Sequence, residues 1–229
     1  KDRLQTLAAE LGRTHGVAVH VVAADLSDRS APSAIQADLS GRGVAVDVLV
    51  NNAGYGVPGR YTTTAWTEQA AALQVMVVAA CELTHRLLPA MVDRQWGRIV
   101  NVASLAALVP AAPGHTLYAA TKAFLVKFSE ALAGEVRAQG VHVTAVCPGF
   151  TLTEFHDVAG TRDRVRALPD WMWQDAETVA REGYEAVMAG RPVAVTGRVN
   201  RVLASGAKYL PESVAKAAVA RNAKRFRKL

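Results

Sequence analysis

The stretch Asp47-Val48-Leu49-Val50-Asn51-Asn52-Ala53-Gly54 decides how this chain is read. DVLV is a short, unbroken apolar run that stops in turn-forming residues. A run without polar alternation fits a strand covered on both faces, as in a parallel sheet. The same pattern recurs along the chain. Arg98 to Ala103 leads into Ser104, VHVTAVC (141–147) stops at Pro148-Gly149, and PVAVT (192–196) is a last short run. VAVHVVAADL (17–26) reads as a further strand closed by the polar turn 27–30. Helical patterns alternate with these runs: an opening helix marked by Leu4, Leu7, Ala8 and Leu11, then about 32–41, 65–95, 117–139 and 175–189. Strands alternating with helices predict an α/β fold, a doubly wound parallel sheet. In such sheets ligands bind beyond the carboxyl ends of the strands. The residues to inspect are therefore Asp25, the 51–54 turn, Ser104 and Pro148-Gly149.

Composition sets wider limits. The 229 residues are 51% hydrophobic and 20% charged, enough for a sizeable core and not the balance of a disordered chain. The net charge of +6 is unevenly placed. From Arg198 to Leu229 there are nine Lys/Arg and one acid, Glu212, so the rest is slightly acidic. The basic excess belongs to a helical tail, with Pro211 expected in a first turn. Only Tyr209 and Phe226 stand among its basic residues and no nucleic-acid reader motif is present, so no nucleic-acid partner is expected. The tail's apolar face is thin, and the apolar stretch 70–81 is broken by Gln74, so no stable membrane insertion is expected. Cys81 and Cys147 cannot build a disulfide framework, which points to free thiols and a cytoplasmic setting.

Tyr118 and Lys122 stand four apart in YAATK, on one face of a helix. A nearby ammonium favours phenolate, which brings a phenol toward useful acid–base chemistry. Ser104, at a strand end, can hold a substrate oxygen. A hydroxyl, a phenol and an ammonium suit carbonyl/alcohol interconversion, with a cofactor supplying hydride. The pair alone is a weak signal. Its order with NNAG, GRIVNVAS and CPGFTLT is far more specific.

This ordered set resembles the short-chain dehydrogenase/reductase family across essentially the whole chain. The resemblance implies a single Rossmann-like domain over residues 1–229. It implies Tyr118 as proton donor and acceptor. Lys122 would tune the tyrosine and hold the nicotinamide ribose, and Ser104 would orient the carbonyl. Asp25 and Leu26 match the adenine-contacting position. Asn51, Ala53 and Gly54 match the turn that stabilises the sheet and lines the cofactor. Pro148, Gly149, Thr151 and Thr153 match the nicotinamide segment. NADP(H) is expected ahead of NAD(H), and a homodimer or homotetramer through the two long helices is implied. No metal is expected, because His115, His156 and the other histidines lack ligand spacing.

Two departures stand out. No glycine-rich phosphate-binding turn precedes Asp25, so a βαβ unit of roughly 30 to 40 residues is expected ahead of Lys1. Counting 22 residues on from Gly54 reaches Met76, where the family carries an Asn that holds a relay water. A thioether cannot replace it. Residues 150–175, with Phe150, Phe155, Leu168, Trp171, Met172 and Trp173, read as an irregular apolar lid over a hydrophobic small molecule. Met76 and the absent glycine turn favour a second reading, a catalytically weak nucleotide-binding sensor or scaffold.

Overall fold

The computed structural model describes residues 1–57, 59–111, 116–155, 169–210 and 214. Its elements run α1 (Asp2–His15), α2 (Ala31–Gly41), β1 (Val48–Asn51), α3 (Trp66–Asp93), β2 (Gly97–Val102), α4 (Thr116–Val136), β3 (Val141–Cys147), β4 (Phe150–Leu152), β5 (Trp173–Asp175), α5 (Ala176–Met188), β6 (Val193–Val195) and α6 (Arg198–Tyr209). The main sheet has the order β1-β2-β3-β6, and every pairing is parallel. Continuous apolar runs form these strands because both faces are covered. Ile99, Ala103, Val143, Ala145 and Cys147 pack toward α3 and α4, against Ala80, Met91, Leu125 and Val136. Their alternates Val100 and Val146 pack against Val187 of α5. This is a Rossmann-like layered α/β fold.

α3 is helical throughout but contains one wider π turn, Gln74–Val78, with Met76 at its centre. Such turns aim side chains out of the regular helical register. At 28 residues α3 is long and apolar enough to cross a membrane by length and composition, unlike the shorter run 70–81 considered above. Its inward residues Ala72, Met76, Ala79, Leu83 and Met91 are buried within the protein.

Three expectations change. Residues 17–25 form no strand, and Val17 and Val19 are exposed. A strand exists only through a hydrogen-bonded neighbour, and none lies beside this segment among the described residues. The neighbouring edge, β1, is also bare, with Val48 and Val50 43% and 53% exposed. The lid is not wholly irregular: β4 and β5 pair in parallel, Phe150 opposite Trp173. The basic tail starts as helix at Arg198, ahead of Pro211, which lies outside the described residues, as do Leu168, His115 and His156.

Candidate functional site

The carboxyl ends of β1, β2 and β3 meet the start of α4. Ser104 follows β2 in an extended conformation and caps the short turn Leu105–Ala107, its Oγ accepting from the Ala106 N–H at 3.1 Å. The Leu105 N–H donates to the Pro148 carbonyl at 2.8 Å, which joins the Ser104 segment to the turn after β3. Tyr118 and Lys122 lie one turn apart on α4. The Ser104 hydroxyl hydrogen-bonds the Tyr118 hydroxyl. Lys122 is 4% exposed, and its ammonium donates to the Val102 carbonyl at 2.7 Å. Nζ stands 5.7 Å from the centre of the Tyr118 ring.

Electrostatics correct one expectation. Burial pushes the Tyr118 phenol above its ordinary range, and the Ser104 hydrogen bond opposes this in part. No lowering by Lys122 registers here. The tyrosine therefore rests protonated. Burial also pushes the Lys122 ammonium down to about 8, with Cys147 acting in the opposite direction. Lys122 remains mainly cationic at neutral pH.

Gly54 completes the floor. A Cβ added there would stand 3.3 Å from Lys122 Nζ and 3.3 Å from Met76 Cγ. The absent side chain is what lets the ammonium and the thioether reach this turn. Met76 is 2% exposed and packs with Ala72 and Val75, ringed by Leu26, Tyr55, Val57 and Tyr118. The Thr121 hydroxyl lies 3.9 Å from its sulfur. The Asn position thus holds a thioether in a packed apolar setting, unsuited to fixing a relay water.

The other expected residues divide. Gly54 adjoins Lys122, and Leu26 packs on the Met76 cluster that Tyr118 also meets. Asn51 faces inward and donates to Asn101 Oδ1 at 2.8 Å and Thr84 Oγ1 at 3.2 Å, and Asn101 donates on to Ser129 at 2.8 Å. Its contacts tie β1 to β2, α3 and α4. Asp25 is exposed and accepts from the Ser27 N–H and hydroxyl, which hold its carboxylate below the usual range. Ala53 lies in the turn beside Gly54. Thr151 donates to the Gly149 carbonyl at 3.2 Å, and Thr153 accepts from the Phe155 N–H at 3.3 Å. Phe155 leans on Tyr118, ring centres 5.8 Å apart, so the lid reaches the phenol.

Nothing in the residue pattern singles out Asn200 on α6. It is 6% exposed, and a Cβ at Gly149 would lie 2.5 Å from its amide. Asn200 donates to the Thr196 carbonyl at 2.9 Å and lies 2.9 Å from Gln174. α6 is thereby seated on the Pro148-Gly149 turn. A buried amide on an amphipathic helix looks like a surface residue until the fold is known.

The fit to a nicotinamide dinucleotide is uneven. Gly54 lies against Lys122, and the Leu105 N–H ties the Pro148-Gly149 turn to the Ser104 segment. No glycine-rich turn opens a helix at the sheet end among the described residues. Among them, too, no group of three or more His, Cys, Asp or Glu is placed to hold a metal.

Residues 1–163 match the short chain dehydrogenase family. Nodulation protein G of Rhizobium sp. (strain N33) is 38% identical over 153 residues, which is 65% of this chain and 59% of that protein. A short-chain dehydrogenase from Sphingobium yanoikuyae, solved in complex with NADPH, is 30% identical, with a TM-score of 0.75, over 86% of this chain and 74% of that one. A 7beta-hydroxysteroid dehydrogenase structure is 25% identical, with a TM-score of 0.79, over 91% and 78%. The chain spans about three fifths of the length of the curated relative. It belongs to the short-chain dehydrogenase/reductase family of oxidoreductases.

Proposed function

We propose that this protein interconverts a carbonyl and a secondary alcohol on a hydrophobic small molecule, using Ser104, Tyr118 and Lys122. The observation that carries this is the Ser104 hydroxyl on the Tyr118 oxygen, with the buried Lys122 one helical turn away. Ser104 Oγ already accepts the Ala106 N–H, so its own proton is free to donate. It stabilises Tyr118 as phenolate and can turn to a substrate carbonyl oxygen. Tyr118, protonated at rest, gives its proton to that oxygen as negative charge builds there. The Lys122 cation, held by Val102, offsets the charge that remains on Tyr118. A bound nicotinamide would supply the hydride, with NADP(H) expected ahead of NAD(H). Lys122, Gly54, Pro148 and Gly149 would hold its ribose end, and Asp25 and Leu26 its adenine end.

The aromatic lid supports a bulky apolar substrate, since Phe155 contacts Tyr118 and Phe150 contacts Trp173. The exposed Val78 on α3 and Phe124 on α4 support a homodimer or homotetramer through those helices. Free Cys81 and Cys147 support a reducing, cytoplasmic setting. One domain over residues 1–229 is part of the same reading.

The test is oxidation of NADPH and NADH by the full chain against a panel of carbonyl compounds, with Tyr118→Phe as control. Turnover should fall by about 10²- to 10⁴-fold in the variant, the usual worth of a general acid. The packed Met76 favours one alternative, a nucleotide-binding sensor or scaffold. It predicts cofactor binding with no turnover that depends on Tyr118.

A further inference from the structure

We propose that Gln174 of β5 is a positioning residue for the segment 148–153: its amide fastens the β4–β5 pair to a buried polar cluster and so sets the turn expected at the nicotinamide end of the cofactor. The inference rests on the reading above that this segment holds that end. Among the described residues, β4 and β5 pair only with one another, three residues to each strand, with Thr151 opposite Gln174. So short a two-stranded pair does not hold itself together in water. Apolar packing contributes modestly. Phe150 and Trp173 meet with ring centres 5.7 Å apart, but both are half-buried and Leu152 is exposed.

Polar contacts supply the rest. The Gln174 amide lies 2.9 Å from the Thr196 hydroxyl and 2.9 Å from the Asn200 amide. Asn200 also donates to the Thr196 carbonyl at 2.9 Å. Thr196 is 0% exposed and Asn200 6%, so these contacts are made away from water. β5, the end of β6 and α6 thus meet in one cluster. Two glycines make room for it. A Cβ at Gly149 would stand 2.5 Å from the Asn200 amide, and one at Gly197 would stand 2.6 Å from the Gln174 amide. A buried polar cluster is directional: its partners are satisfied in one arrangement, where apolar side chains could slide.

The cluster grips the segment at two points. Asn200 bears on Gly149 directly, and Gln174 reaches Thr151 through the strand pairing. Between them the Thr151 hydroxyl turns back onto the Gly149 carbonyl at 3.2 Å. One residue earlier, the Pro148 carbonyl accepts the Leu105 N–H at 2.8 Å, beside Ser104. Gln174 therefore acts at a distance, through β4, on the turn that adjoins the Ser104 segment. Loss of its amide should loosen cofactor binding more than the proton transfer at Tyr118.

The test compares Gln174→Leu, Thr196→Val and Thr196→Ser with the parent in the full chain. Fluorescence titration reads NADPH affinity, steady-state kinetics separate KM from kcat, and amide hydrogen exchange reads each strand. Gln174→Leu and Thr196→Val should each weaken NADPH binding by about tenfold, the worth of one lost buried hydrogen bond. KM for NADPH should rise by a similar factor and kcat should change less than about threefold. Thr196→Ser, which keeps the hydroxyl, should recover most of the affinity. Exchange in β4 and β5 should quicken by about tenfold or more, with β2 and β3 unchanged. Unchanged NADPH affinity in both variants, in a parent that binds NADPH, would overturn this proposal and leave the cofactor reading standing. Unchanged exchange in β4 would overturn it too, as would equal loss in Thr196→Ser or quickened exchange in every strand, which would assign the cluster to general packing. A parent that binds neither NADPH nor NADH would overturn the cofactor reading and this proposal together.

Discussion

Met76 and Lys122 meet at a single point, the α-carbon of Gly54, where each would lie 3.3 Å from an added Cβ. The thioether and the ammonium share one floor, so a change to any of the three moves the others. Gly54→Ala should displace the ammonium by a few tenths of an ångström, because a methyl 3.3 Å from Nζ and from Met76 Cγ is tighter than ordinary van der Waals contact. We expect kcat for carbonyl reduction to fall by about tenfold, in keeping with the cost of misplacing a catalytic group. Steady-state kinetics beside a melting curve separate this from unfolding.

Met76→Asn tests the missing relay. The amide would enter a buried apolar cluster with the Thr121 hydroxyl nearby. An incompletely satisfied amide should cost about 1–3 kcal/mol of stability. If a water then joins the amide to Lys122, turnover should rise several-fold with a larger solvent isotope effect. Denaturant titration and rates in heavy water check the two halves.

Lys122 also makes stability depend on pH. Its folded value of about 8 lies below the ordinary 10.5. Between those values the unfolded chain binds more protons, so stability should rise with pH across that window. Cys147 works the other way: its thiol is pushed up to about 12 by burial, so its contribution is lost as pH rises above about 9. Lys122→Met should remove the rise relative to the parent protein. Cys147→Ala should leave a steeper one. Melting temperatures from pH 7 to 10 decide this.

Gly149 and Asn200 should be coupled. Gly149→Ala places a methyl 2.5 Å from the Asn200 amide, so either the turn or α6 must yield. We expect a weaker KM for the cofactor with a smaller change in kcat. Asn200→Ala should relieve most of that defect in the double variant. A double-mutant cycle measures the coupling, which should reach about 1–3 kcal/mol for residues in contact.

Much of this molecule was legible in the sequence. β3 runs from Val141 to Cys147 as its apolar run suggests, and β1, β2 and β6 lie within a residue or so of their runs. Strands covered on both faces announce themselves without any partner being known. The Tyr118–Lys122 pair was legible from helical spacing, and Ser104 from its place after a strand. What pairing alone decides was not legible. VAVHVVAADL has the composition of a strand and no neighbour to make it one. The β4–β5 pairing is parallel and joins segments some twenty residues apart, which no local signal announces. Asn200 was hidden because its burial depends on α6 folding back onto Gly149. The direction of the Tyr118 shift was missed because spacing reports a neighbouring cation and not the loss of water around the phenol.

The Asn51–Asn101 bond has a consequence for the order of assembly. LV (49–50) and IV (99–100) are similar apolar pairs, and sliding β1 along β2 by two residues would keep every side chain on its own face. Hydrophobic burial therefore discriminates poorly between the two alignments. The amide pair does discriminate, because Asn51 stands directly opposite Asn101 only in the native register. A slipped sheet would part the half-buried Asn51 amide from the fully buried Asn101 carbonyl oxygen. The chain thus carries a proofreading step for its own sheet, placed at the strand ends from which the candidate site is built.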